Sequence, residues 1–180
     1  MEYIHKTILK VWNEDIKNDY EQKSLLREDT LKNAFYFHLR RRLGEEYLIT
    51  RNLRIYTEYQ INKNKVDLVV VEIDPVKAEY EDWKDCVIRV LISVEMKYKN
   101  RHTRNDIISA DVDKISNYIT DWGKDTKHYL AVIQEKYYAE DNVKNWITVE
   151  KVTNSNGNVT ELFAYWDNKT DKTIWRSAEL

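Results

Sequence analysis

The chain has 180 residues, of which 42% are hydrophobic and 33% are charged, and its formal net charge is −2. This length suffices for one domain with a buried core and is too short for two comfortable ones. The charge balance excludes a strongly basic protein that coats nucleic acid without selection, so any attraction to phosphate must be local.

Cysteine content and the first residues indicate the compartment. Cys86 is the only cysteine, which excludes an internal disulfide and a cysteine zinc cage. The segment 1–12 mixes charged with apolar residues, so it is neither a secretory signal nor a membrane span. We therefore expect a cytoplasmic protein without a membrane partner.

Two stripes of apolar residues at helical spacing predict two helices in the N-terminal quarter of the chain. The first helix is expected to fray in the polar segment 13–23, and the second to end at Gly44. The stripes are Ile4, Ile8, Val11 and Trp12, and Leu31, Phe35, Leu39 and Leu43.

Alternating and β-branched segments predict a hairpin followed by a third strand. Residues 53–61 alternate with period two, residues 65–71 form an apolar run, and the turn 62–64 joins them. A polar connection over 74–85 then leads to the long β-branched run 87–97.

The second half of the chain predicts a helix, a strand and a terminal hairpin. Apolar residues from Ile108 to Trp122 share one helical face that ends at Gly123, and a buried strand follows at 129–133. The segments 146–152 and 159–166 flank a turn-rich link and predict a C-terminal β-hairpin.

This order predicts an α/β sandwich with a mixed sheet in one domain, residues 1–180. A strand–helix–strand crossover places the strands around Glu95 and Ile133 parallel. The expected parts are an N-terminal helical extension (1–23), a core (24–133) and a β appendage (146–176) that is also a candidate homodimer surface.

Carboxylates set into the two apolar runs point to a functional site. Asp67 and Glu95 lose several kcal/mol of solvation on burial unless a cation, a donor cluster or a metal compensates them. Glu95 and Lys97 share one face of their strand, and Asp67 can face them from a neighbouring strand. Glu28 lies on the core-facing side of the second helix, and the alternative there is an ordinary first-turn acid. Oxygen ligands of this kind suit Mg²⁺.

Other catalytic patterns are excluded by the residue inventory. With only three glycines, the chain contains no phosphate-binding glycine loop or dinucleotide fingerprint, and it has no Gly-x-Ser-x-Gly elbow. Its four histidines lack the spacing of a zinc hydrolase.

These residues together resemble the PD-(D/E)xK nuclease superfamily over roughly residues 24–133. The family is known by an aspartate on the second core strand, here Asp67, and by acid-x-Lys on the third, here Glu95-Met96-Lys97. Many members add a glutamate on the first helix, here Glu28. Acid-x-Lys occurs six times in the chain, but only the copy at Glu95 closes a long β-branched run.

The resemblance implies a restriction-endonuclease-like three-layer sandwich and metal-dependent hydrolysis of phosphodiester bonds, with DNA favoured over RNA. It implies that Mg²⁺ or Mn²⁺ is held by Asp67, Glu95, the main-chain carbonyl of Met96, and Glu28 directly or through water. Lys97 would orient the nucleophile and contact the scissile group.

Nucleic-acid contacts are expected from the basic segment that begins at the candidate site and from the helix after it. Lys99, Arg101 and Arg104 form this segment with no acidic residue among them. Some relatives carry a glutamine and a tyrosine four residues apart on the following helix, and Lys114 and Tyr118 stand at that spacing here. A solvated helix face is the alternative for Lys114.

Two alternatives to a nuclease remain open from the sequence. One is a catalytically silent protein of the same fold that binds nucleic acid or a protein partner. The other is a structural ion pair in which Glu95 and Lys97 pair with each other on an edge strand.

Overall fold

The computed structural model describes residues 1–61, 64–100, 103–122, 125–135, 145–152 and 157–180. The helices are α1 (Glu2–Lys10), α2 (Lys17–Glu21), α3 (Glu28–Leu43), α4 (Glu45–Thr50) and α5 (Asn105–Trp122). The strands are β1 (Leu53–Ile61), β2 (Asn64–Ile73), β3 (Val87–Lys99), β4 (Lys127–Gln134), β5 (Val159–Asp167) and β6 (Lys172–Glu179). Within these residues, none of the helices combines the length and apolar character that a membrane crossing needs.

One mixed sheet of six strands organises the fold, in the order β1-β2-β3-β4-β5-β6. The central strands β3, β4 and β5 run parallel, and the outer pairs are antiparallel. The predicted α/β class, mixed sheet, β1–β2 hairpin and parallel crossover from β3 to β4 are confirmed.

Helices cover both faces of the sheet, because each face carries an apolar cluster. On one face α1 and α3 pack with alternate residues of the central strands, including Leu68, Val94 and Met96. On the other face α5 packs with Val69, Val71 and their neighbours. The molecule thus has a helix–sheet–helix arrangement in which a side chain of β3 faces one helical layer or the other.

Two secondary-structure predictions near the N-terminus were incomplete. The helix does not fray over residues 13–23, since a π-helical segment (Val11–Ile16) joins α1 to α2. Trp12 and Ile16 are fully buried there, so tertiary packing stabilises a segment whose composition alone favours a loop. The short helix α4 after Gly44 was not predicted.

Of the predicted C-terminal hairpin, the strand at 159–166 is confirmed as β5, whereas the strand at 146–152 is wrong. The described segment 145–152 contains a 3₁₀ turn (Val149–Val152) and no strand. The hairpin is instead formed by β5 and β6, and β5 pairs with β4, so the two strands extend the central sheet rather than form an appendage. The predicted turn 62–64 and the predicted turn-rich link 154–158 lie partly outside the described residues, and the predicted helix end at Gly123 lies outside them.

Gly44 ends α3 as predicted and offers a test of its backbone role. Its φ is +80° and ψ 149°, a conformation that is essentially restricted to glycine, and an added Cβ would meet no atom within 4 Å. We expect Gly44→Ala to lower the free energy of unfolding by about 1 to 3 kcal/mol through backbone strain alone, as measured by urea denaturation. Ser109→Ala, at an exposed position of α5, should change it by less than about 0.5 kcal/mol. Equal stability of the two variants would contradict this role.

Candidate active site

The site begins where the β2–β3 ladder ends. Main-chain pairing between these strands starts at Leu68 and Val94, so Asp67 and Glu95 are the next residues outward. The Asp67 carboxylate accepts a hydrogen bond from the Met96 main-chain N–H at 2.7 Å. The Met96 N–H thus donates to a side chain and not to a main-chain carbonyl of β2. This hydrogen bond fixes the Asp67 carboxylate beside β3.

Lys97 connects the two helical layers. Its Nζ lies 3.2 Å from Glu28 Oε1, at the start of α3, and 3.1 Å from Asp111 Oδ2 on α5. It also donates to the Met96 carbonyl at 3.0 Å. Burial alone would lower the pKa of Lys97, but the charges of Asp111, Asp67 and Glu28 raise it above its ordinary value. Lys97 is therefore a fixed positive charge at neutral pH.

The start of α3 is held at the sheet by local hydrogen bonds. The Tyr98 hydroxyl donates to the Leu25 carbonyl at 3.2 Å, which ties the segment before α3 to β3. The Thr30 hydroxyl accepts the Arg27 N–H at 3.0 Å and so satisfies a main-chain donor where the helix begins. Glu28, the first residue of α3, consequently projects toward Lys97.

Glu95 is almost completely buried, with 1% of its surface exposed. The Tyr118 hydroxyl donates to its Oε1 at 3.0 Å, and Lys114 Nζ lies 3.8 Å from its Oε2. Burial, followed by the charges of Asp67 and Asp111, raises the pKa of Glu95 to about 8. This higher pKa results from three acidic groups lying close together in a buried space. A bound cation would reduce the repulsion between them.

A second lysine lies on the other side of the site. Lys32 Nζ contacts three carboxylates, at 2.7 Å from Glu58, 3.0 Å from Asp67 and 3.4 Å from Glu28. Burial would lower the pKa of Lys32, but the hydrogen bond to Glu58 and the charge of Asp67 raise it well above its usual range. Lys32 is therefore a permanent internal counter-ion of these carboxylates.

Glu58 reaches Lys32 through an irregularity in β1. Its φ of +54° is uncommon for a residue other than glycine, and it falls between the pairs Thr57–Leu68 and Tyr59–Val66. The backbone therefore departs from regular strand geometry at the position opposite Asp67. The sequence allows Glu58 to reach the site from β1 but favours a half-exposed strand residue, because the alternation of β1 does not reveal this distortion.

The charges of the cluster do not balance. Its carboxylates outnumber its ammonium groups by one when all of them are ionised. The carboxylates are Glu28, Glu58, Asp67, Glu95 and Asp111, and the ammonium groups are Lys32, Lys65, Lys97 and Lys114.

A divalent ion fits this donor set chemically. Carboxylate and carbonyl oxygens are the ligands that suit Mg²⁺ and Mn²⁺. Asp111 Oδ2 is buried and has no hydrogen-bond donor, although it forms an ion pair with Lys97. The described residues include no group of three or more His, Cys, Asp or Glu side chains already arranged to hold a metal. The lysines occupy part of the space between the carboxylates.

The four residues predicted as catalytic are thus brought together, and two of the residues predicted to contact nucleic acid are buried. Lys99 is 4% exposed, with its Nζ 5.1 Å from the centre of the Trp146 ring. Tyr118 is 1% exposed and serves Glu95. Strand alternation directs Lys99 to the face of the sheet that α5 covers, and Tyr118 points from α5 to β3.

The remaining predicted contacts have different positions. Arg104 is exposed, lies just before α5 and forms a bidentate ion pair with Asp106 in the first turn of that helix. Lys114 is partly exposed and contacts Asp111 at 2.6 Å, so it belongs to the site rather than to a solvated helix face. Arg101 lies outside the described residues.

The edge-strand alternative is contradicted by the topology. β3 lies inside the sheet, between β2 and β4. The ion-pair partners of Lys97 are Glu28 and Asp111, from two helices, and Lys114 is the lysine that lies near Glu95. The structure therefore has a cluster of charges from four elements, and not an isolated Glu95–Lys97 pair at the surface.

Lys32 was missed by the sequence analysis, although a signal for it exists. It follows Glu28 by four residues, so the two side chains share one face of α3. Because both side chains lie on this face, the acid and the lysine could have been considered together.

No protein-family model and no curated protein sequence matches the chain.

Proposed function

We propose that this protein is a divalent-metal-dependent nuclease of the PD-(D/E)xK type, acting on phosphodiester bonds and on DNA in preference to RNA. The observation that carries the proposal is the buried Lys97 ammonium held between Glu28 of α3 and Asp111 of α5. On the adjacent strands, Glu95 is buried and Asp67 is fixed by the Met96 N–H. The order α3, β1, β2, β3, α5, β4 also corresponds to the helix, three strands, helix and strand of that family's core. A restriction-endonuclease-like fold is part of the proposal.

Metal binding is assigned to residues at the end of the β2–β3 ladder. Asp67 and Glu95 would hold Mg²⁺ or Mn²⁺, with the Met96 carbonyl and Glu28 as further oxygen donors. When bound, such an ion lowers the pKa of a nearby water and offsets the negative charge that develops on the phosphate. The Tyr118 hydroxyl orients Glu95 for this task through its hydrogen bond.

Lys97 has an electrostatic role in this proposal. Because its pKa is raised, it stays protonated and is unsuited to act as a general base at neutral pH. Its ammonium group, fixed by Glu28 and Asp111, is positioned to contact the scissile phosphate and orient the attacking water. No covalent intermediate is needed.

The test is cleavage of single- and double-stranded DNA and RNA with Mg²⁺ or Mn²⁺, and with EDTA in place of the metal. We expect cleavage that requires the metal, is abolished by EDTA and is restored when excess Mg²⁺ is added. Asp67→Asn should lack it, whereas Asp106→Asn, which alters an exposed carboxylate paired with Arg104, should retain it.

Each outcome of this assay separates the proposal from its alternative. Absence of cleavage on every substrate in either metal would contradict the nuclease. Binding of nucleic acid without cleavage would favour the catalytically silent member of the fold. For that alternative the arginine cluster 40–42 is a weak candidate surface, because Arg40 is bound by Glu45 and Arg42 by Glu14 and Asp15. A cytoplasmic location and homodimer formation stay predictions from the sequence.

A further inference from the structure

A cavity of about 700 Å³ lies at the edge of the sheet where the parallel strands β3, β4 and β5 end. Ligands of α/β proteins commonly bind outside the carboxyl ends of parallel strands, and this volume is in the range of small-molecule sites. Tyr98 of β3, Glu135 after β4 and Trp166 of β5 line the cavity, together with α2 and residues between α2 and α3. The proposed hydrolysis does not use this cavity.

The lining of the cavity combines aromatic rings with charges of both signs. Tyr20, Tyr98 and Trp166 supply rings from one helix and two strands. The charged lining residues that the structure describes are three lysines and three acids, Lys17, Lys23, Lys172, Glu21, Glu135 and Asp171. Their charges cancel, so this lining does not select an anion, but it offers hydrogen-bond donors and acceptors beside the rings. A neutral planar ring with polar edges fits this chemistry, and a nucleobase is such a ring.

The cavity and the candidate active site lie at the same end of β3. Lys97 and Tyr98 are consecutive residues, so their Cα atoms are about 3.8 Å apart and their side chains lie on opposite faces of the sheet. Leu26 lines the cavity, and Glu28, which contacts Lys97 at 3.2 Å, follows it by two residues. The Cα atoms of Leu26 and Glu28 are therefore at most about 7 Å apart. A strand with a phosphate at Lys97 thus has a neighbouring nucleotide within reach of the cavity.

From this placement we infer that the cavity binds an unpaired base of the substrate strand next to the scissile phosphate, so that the protein prefers single-stranded nucleic acid. The inference rests on the proposed function, because it names the substrate class of the same site. A base inside a duplex is paired and stacked, so it must leave the helix before it can enter a cavity, which costs free energy. A base of a single strand is already unpaired, and each of the four bases has a face that stacks on an aromatic ring.

The test is binding of a fluorescein-labelled oligothymidine of about 12 nucleotides, a length in the range of single-strand sites. Its affinity is compared with that of a duplex of the same length, by fluorescence anisotropy in EDTA so that no metal-dependent cleavage occurs. We expect the wild type to bind the single strand more tightly than the duplex. A single strand of the same length with abasic sites in place of the thymidines should bind at least about tenfold more weakly, because it keeps the phosphates but has no base to stack.

Two substitutions locate this binding in the cavity. Tyr20→Leu removes a lining ring but keeps an apolar side chain, and we expect it to weaken single-strand binding about 5- to 100-fold, the loss typical of one stacked base. Thr173→Trp places a larger side chain in the cavity and should weaken binding to a similar extent. Tyr20→Phe keeps the ring and should bind like the wild type. Tyr80→Leu is the matched control, because Tyr80 is 80% exposed and does not line the cavity.

The outcomes separate this inference from the proposed function. Equal affinity of the wild type for single strand and duplex, or for oligothymidine and its abasic counterpart, would overturn the inference without the need for a variant. Wild-type affinity in Tyr20→Leu or Thr173→Trp, with folding checked by circular dichroism, would also overturn it. None of these results bears on metal-dependent cleavage. Conversely, absence of cleavage on every substrate would contradict the nuclease proposal even if a single strand binds in the cavity.

Discussion

Lys97→Met is expected to reduce metal-dependent cleavage on the order of 100- to 1,000-fold in kcat, the loss typical of removing one preorganised charge at a reacting group. The substitution keeps most of the length of the side chain and removes only the ammonium that joins Glu28 to Asp111. The measurement is single-turnover cleavage at saturating Mg²⁺ on the best substrate of the wild type.

Two controls show whether this loss is chemical. Lys97 is not assigned as a metal ligand, so Lys97→Met should still bind Mn²⁺ in calorimetry. Lys65→Met removes a lysine that contacts Glu58 at the surface and should cleave like the wild type. Cleavage by Lys97→Met within about tenfold of the wild type would show that the ammonium does not act on the reacting phosphate.

Glu95 is expected to make the metal-free protein less stable as the pH rises. Its pKa is about 8 in the folded chain, whereas the ordinary pKa of a glutamate side chain is 4.5. Between these values the folded state keeps a proton that the unfolded state has released, so the free energy of unfolding falls with increasing pH, by as much as about 1.4 kcal/mol per pH unit. Below pH 4.5 both states are protonated, and well above pH 8 neither is, so the effect levels off at both ends.

Glu95→Gln isolates this contribution, because the amide does not titrate but fills a similar volume. We expect the stability difference, variant minus wild type, to grow from pH 5 to pH 8.5 by on the order of several kcal/mol in urea denaturation with EDTA. The groups that face Glu95 are Asp67, Asp111, Lys114 and Tyr118. They are common to both proteins, so the difference removes most of their own contribution. A difference that does not change with pH would show that Glu95 is ionised throughout this range.

The fold was predictable from the sequence wherever one pattern dominated. The stripe of α3, the alternation of β1 and the apolar runs of β2 and β3 each specify an element whose period matches its burial. Two features depend on contacts between residues distant in sequence, and local sequence patterns do not predict them. They are the helical continuation through 11–16 and the pairing of β5 with β4.

The central residues of the site could be predicted from the free-energy cost of burying charge. The residues that pair with them could not. Asp67 and Glu95 stand out because carboxylates are rare inside apolar strands. From the sequence, Tyr118 and Lys99 are candidates to bind nucleic acid. Their burial becomes visible only in the structure, where α5 packs on the sheet and Trp146 lies against Lys99. Lys32 contacts Glu58 at a position where β1 has a positive φ, which the sequence of β1 does not reveal.

The contacts of Lys97 with both helical layers also link activity to complete folding. Glu28 approaches from the layer of α3 and Asp111 from the layer of α5, so the ammonium is held only when both layers have docked on the sheet. A loosely packed intermediate that keeps its helices and strands but not their packing would leave these groups apart. If the proposed function is correct, a newly synthesised or partly denatured chain would not cleave nucleic acid, and cleavage would be limited to molecules that have reached the native state.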